Sequence, residues 1–167
     1  MSWVIAVAVL SLLFIAAWRD IATRIIPDYV TLILLGLGAL LQIQNGVLAL
    51  VGSAGTALLL FVLLMIAYSR QLMGGGDVKM MTAFAFGLTP IGTYWFVTST
   101  VLAGGLLGIA YLLLSRYQHK PHADNRASPI ARVLAVEAWR VRKRAPLPYG
   151  VAIAIGGAIT LLHPVGP

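Results

Sequence analysis

The sequence predicts an all-α, polytopic integral membrane protein of about six transmembrane helices. Three observations carry that prediction. Of 167 residues, 60% are hydrophobic and only 10% charged, with a mean hydropathy of +0.92, more apolar surface than a soluble domain of this size could hide. The apolar residues form long runs separated by short polar gaps. All 12 Lys and Arg residues fall in alternate gaps, as expected where cytoplasmic loops collect positive charge. The formal net charge of +7 is therefore read as topology rather than as a nucleic-acid surface. The chain contains no cysteine, which excludes a disulfide, a thiolate nucleophile and a cysteine-held zinc.

The first apolar segment is Ser2 to Trp18. It has no basic residues before its apolar run and no convincing small-residue cleavage site, so it reads as a membrane helix rather than a signal peptide. Arg19 and Arg24 follow it. The second segment runs from about Tyr29 to Gln42, with Pro27 suited to its start, and the third from Val47 to Tyr68. Arg70 and Lys79 flank the glycine run that leads to the fourth, Val78 to Leu88. The fifth spans Ile91 to Leu114, and the sixth Tyr149 to Leu162. Several fall short of the roughly 17–25 residues of a full span, so they must borrow flanking residues, thin the bilayer or pack on neighbours. The uncharged connections, Ile43–Gly46 and Thr89–Pro90, are expected outside, with both termini. The basic connections are expected in the cytoplasm.

The whole chain, 1–167, reads as a single membrane-embedded domain with one long cytoplasmic loop, about 117–148. Its first part, "QHKPHADNRASP", is loop-like, and His119 and His122 there suit solvent better than a metal. Ser128-Pro129 then looks like an N-cap and first helical residue. Ile130, Val133, Leu134, Ala138 and Val141 recur at helical spacing, with Trp139 among them. That pattern predicts an amphipathic helix, either on the inner leaflet or packed on the bundle.

Five acidic residues remain to be explained. Asp124 and Glu137 lie in the long loop; Asp20, Asp28 and Asp77 lie at the predicted cytoplasmic ends of helices. A charge at membrane depth costs about 3 kcal/mol or more, so these three need a reason. Asp20 has Arg24 four residues on, as an ion pair at a helix end would. Asp28 follows Pro27, where a carboxylate complements a helix dipole. Asp77 follows Gly74, Gly75 and Gly76, which permit unusual backbone angles and close approach of another chain. The plain reading is a glycine turn with Asp77 capping the next helix; the chemical one is a carboxylate beside an extended peptide. Two carboxylates brought together would share a proton, one activating water while the other protonates a carbonyl. No metal or other cofactor is needed for that.

The motifs around these residues resemble a known family. "GGGD", Gly74 to Asp77, matches the GxGD motif of membrane aspartic proteases, and Lys79 extends it to the GxGDxK form of type IV prepilin peptidases. "RDIATRIIPD" resembles that family's first aspartate motif, with Asp20, Arg24, Ile26 and Pro27 in place. "PLPYGVAIAIGG" resembles the Pro-Tyr-Gly start of its last helix, here Pro148, Tyr149 and Gly150. The resemblance implies an aspartic endopeptidase of the inner membrane that cuts prepilin or pseudopilin leaders at the cytoplasmic face. It implies Asp20 and Asp77 as the catalytic pair, with Gly74–Gly76 and Lys79 shaping the backbone around the substrate. Asp28 stands where the family usually has asparagine. The missing cysteines and the short first cytoplasmic connection, 19–28, make the chain similar to the peptidase-only TadV/CpaA-like branch serving Flp/Tad pili, without methyltransferase activity. Archaeal preflagellin peptidases share the GxGD core. Two other classes stay open on the residues alone. One is a small transporter or channel subunit using Asp20 and Asp77 as ion or proton ligands, although transporters tend to place such groups near the midplane. The other is an assembly factor packing through Gly104, Gly105 and Gly108.

Overall fold

The computed structural model describes residues 3–117 and 147–162, and every described regular element is a helix. They are α1 (Trp3–Thr23), α2 (Asp28–Gln44), α3 (Val47–Ser69), α4 (Gly75–Phe86), α5 (Pro90–Tyr117) and α6 (Tyr149–Leu162). Three stretches, Trp3–Thr23, Val47–Ser69 and Pro90–Leu114, are long and apolar enough to cross a membrane. Helices α2 and α6 are shorter and apolar. The expected amphipathic helix, His119 and His122 lie outside the described residues.

Local chemistry sets the boundaries. Helix α1 continues past its expected end at Trp18, because nothing before Pro27 breaks a helix. It closes at Arg24, whose φ of 59° is left-handed and whose N–H donates to the Asp20 carbonyl at 2.9 Å. Asp20 therefore belongs to the last turn of α1, not to a connection. Pro27 is the N-cap of α2. The turn into α3 passes through Gly46 at φ +99°, a conformation that favours glycine. Helix α3 ends with Gln71 in the left-handed position and the Leu72 N–H on the Ala67 carbonyl at 3.0 Å, a Schellman closure. Thr89 caps α5 by accepting from the Gly92 N–H at 3.1 Å, with Pro90 as first helical residue.

Helix α4 is the short central element, packed mainly on α2 and α3. Val78, Met80, Met81, Ala83, Phe84 and Ala85 are buried around most of its circumference, leaving the Lys79 face open. Helix α6 packs between α1 and α5. A shared core joins the two groups: Leu13 of α1, Val30 and Leu34 of α2, Phe84 of α4, Phe96 of α5 and Ile153 of α6. The Phe84 and Phe96 rings meet at 4.6 Å in a tilted pair.

Three glycines allow the closest crossings. A Cβ on Gly38 would lie 2.8 Å from Gly87 Cα. One on Gly156 would lie 2.7 Å from the Thr100 backbone nitrogen, and one on Gly157 would lie 2.8 Å from Leu13 Cδ1. Helix pairs in lipid associate through such packing rather than through exclusion of water. The glycines singled out from sequence are looser: Gly104 and Gly108 have ordinary contacts and Gly105 has open space.

Candidate active site

Asp20 and Asp77 are both buried, at 6% and 9% exposure. Asp20 reaches the site from the last turn of α1. Its Oδ2 accepts the Gly150 N–H at 2.8 Å, across 130 positions of sequence. Gly150 is the second residue of α6, so this N–H is one of those a helix start leaves without an internal partner. A Cβ on Gly150 would lie 2.9 Å from Asp20 Cβ and 3.0 Å from Oδ2. Only glycine lets the helix start approach this closely. Pro148 is buried just before it, and Tyr149, the first residue of α6, is partly exposed.

Asp77 is the third residue of α4 and precedes the apolar run 78–88. Its Oδ2 accepts the Gly74 N–H at 3.3 Å, the acid's half of a capping box. Burial pushes its carboxyl up from 3.8 to about 6, and the charge of Asp20 adds to that rise. The Gly74 hydrogen bond and the Arg24 guanidinium pull the other way. The charges of Asp20 and Arg24 thus both act on Asp77, so the three side chains lie within electrostatic reach of one another.

The glycine run serves close approach, and the expectation of unusual backbone angles is corrected. Gly74 has φ −78°, and Gly75 and Gly76 are helical. Among the described residues Gly46 alone is a glycine with positive φ. A Cβ on Gly74 would lie 3.1 Å from Asp77 Oδ2, and one on Gly76 would lie 3.3 Å from Ile26 Cβ. Gly75 meets Tyr68 at an ordinary 3.5 Å. These gaps let Asp77 fold back over the helix start and let the α1–α2 connection rest on it.

Lys79 is not at the carboxylate pair. Its Nζ donates to Asp28 Oδ1 at 3.0 Å, with side chains 58% and 72% exposed. Asp28 stands in the first turn of α2, where a carboxylate complements the helix dipole, and it also accepts from Lys79. Sequence reasoning did not connect Lys79 with Asp28, Ile26 with Gly76, or Gly150 with Asp20. Each joins distant segments; the only advance signal was that all six residues lie in or beside the three motifs. No group of three or more potential metal ligands occurs among the described residues.

Two buried carboxylates at one site, one of them with raised proton affinity, are equipped to hold a single proton between them. They can then act as general base and general acid on one bound group.

The sequence pattern of the type IV leader peptidase family matches residues 7–113, which contain both Asp20 and Asp77. The prepilin leader peptidase/N-methyltransferase of Bacillus subtilis strain 168 is 29% identical over 164 residues, covering 95% of this chain and 55% of the relative. The chain thus spans about half the length of that relative. No solved structure matches the chain.

Proposed function

The chain belongs to the type IV leader peptidase family, and on that premise we propose that it is a membrane aspartic endopeptidase that removes leader peptides from prepilins or pseudopilins. The observation that carries the reading is the convergence of Asp20 and Asp77, both buried, with the charge of one raising the proton affinity of the other. Asp20, holding the Gly150 N–H, is the ionised member, since such a donor suits a carboxylate. Asp77 carries the shared proton. Water attacks the scissile carbonyl carbon and gives a proton to Asp20 while Asp77 protonates the carbonyl oxygen. The tetrahedral diol collapses as Asp77 recovers a hydroxyl proton and Asp20 protonates the departing nitrogen. The C–N bond breaks, one water is consumed, and both acids return to their starting states.

The segregation of Lys and Arg supports six membrane segments with both termini outside and the aspartates at the cytoplasmic face of the inner membrane. The absence of cysteine supports the peptidase-only branch serving Flp/Tad-type pili. The test is cleavage of a synthetic Flp-type prepilin by purified protein in liposomes, with S-adenosylmethionine present. Wild type is expected to shorten the substrate and leave the new N-terminus unmethylated. Asp20→Asn and Asp77→Asn are each expected to abolish cleavage, and the double variant to be scarcely worse than either. Wild-type-like cleavage by Asp77→Asn would end the aspartic mechanism.

A further inference from the structure

Asp77 must be held to about half an ångström to share a proton and meet a carbonyl. It sits in the first turn of a short helix whose start is glycine, a weak helix former. What fixes that turn? The connection between α1 and α2 lies on it at successive points. The Arg24 charge acts on Asp77, Ile26 packs against Gly76, and Asp28 accepts from Lys79. Ile26 is buried in the core, so this connection is not a loose loop. It leaves α1 at Arg24, one turn after Asp20. Whatever clamps it to α4 therefore sets one aspartate against the other.

We propose that Lys79 and Asp28 are positioning residues that clamp the start of α2 to the first turns of α4, and so register Asp77 with Asp20. Neither residue touches the substrate. The working feature at position 28 is an acceptor oxygen, not a negative charge. Asparagine offers the same acceptor in the same place. An exposed pair adds little to global stability, so the effect falls on geometry and rate. The inference rests on the peptidase reading for its kinetic test, and a second test is independent of it.

The kinetic test compares single substitutions in the full chain in liposomes. Asp28→Ala and Lys79→Met are each expected to lower kcat about ten-fold with KM unchanged, because a misplaced acid slows chemistry without loosening binding. Asp28→Asn is expected to stay within about two-fold of wild type, since the acceptor is kept. A rise in KM at constant kcat for Lys79→Met would make Lys79 a substrate contact and overturn the proposal. So would undiminished kcat in both Asp28→Ala and Lys79→Met.

The second test needs no activity. The chain has no cysteine, so Ile26→Cys with Gly76→Cys gives a unique pair at a spacing close to that of a disulfide. Oxidation is expected to cross-link this pair readily, to do so several-fold more slowly with Asp28→Ala or Lys79→Met, and at the original rate with Asp28→Asn. Equal rates in all backgrounds would overturn the clamp. If the cross-linking pattern holds while wild type cleaves no prepilin, the peptidase reading fails and the clamp stands.

Discussion

At the scale of the residue, Asp77 carries an opposition between stability and chemistry. Its carboxyl is raised to about 6 from 3.8, so the folded chain holds this proton more tightly than the unfolded chain does. The stabilisation that follows is fully present below pH 3.8 and is lost as pH rises through about 6. Above that, an ionised Asp77 is a net burden of on the order of 2–3 kcal/mol. Asp77→Asn is therefore expected to raise the apparent Tm in detergent at pH 7.5 and to leave it near wild type at pH 4, while being inactive at both. A lower Tm at pH 7.5 would show that the carboxylate is an anchor rather than a burden. On the proposed mechanism the same proton sets the activity. The kcat/KM of wild type is expected to fall on an alkaline limb with a midpoint near 6, belonging to the pair rather than to either acid.

At the scale of the element, the glycines of α5 and α6 divide by what a methyl group would meet. Gly156→Ala forces a Cβ against the Thr100 backbone and must part α5 from α6. It is expected to cost about 1–3 kcal/mol, read as a lower apparent Tm. Gly105→Ala meets nothing within 4 Å and is expected to be neutral or to add up to about 1 kcal/mol of helix propensity. The reverse order would mean that the crossing at Gly156 is not close. The same comparison shows what the sequence could reveal. The bounds of α2 and α3 were legible to within two residues, because Pro27, Gly46 and the polar residues after Tyr68 punctuate the apolar runs. The end of α1 was not, because Arg19 and Asp20 look like the edge of a span although neither breaks a helix. The start of α4 was not either. Three glycines read as a turn, yet the Tyr68 and Ile26 contacts and the Asp77 cap hold Gly75 and Gly76 in the helix. The motifs singled out Asp20 and Asp77, and both are buried. The donor to Asp20 was not, because a contact across 130 positions leaves no local periodicity.

At the scale of the whole molecule, the expected orientation in the bilayer follows from where the basic residues lie. A cysteine placed at Asn45 is expected to react with an impermeant thiol reagent in intact cells, and one at Leu72 only after lysis; both sites are exposed. The opposite pattern would place the aspartates outside the cell and remove cytoplasmic cleavage. The hydrogen bond from Gly150 to Asp20 has a consequence in time rather than in space. A ribosome delivers Asp20 and Asp77 long before Gly150. Until α6 is made and threaded between α1 and α5, the chain contains both acids but not the amide that holds one of them. On the proposed mechanism, a nascent or truncated chain ending before residue 147 is therefore expected to hold both acids without cleaving, and completion of α6 would act as a safety catch.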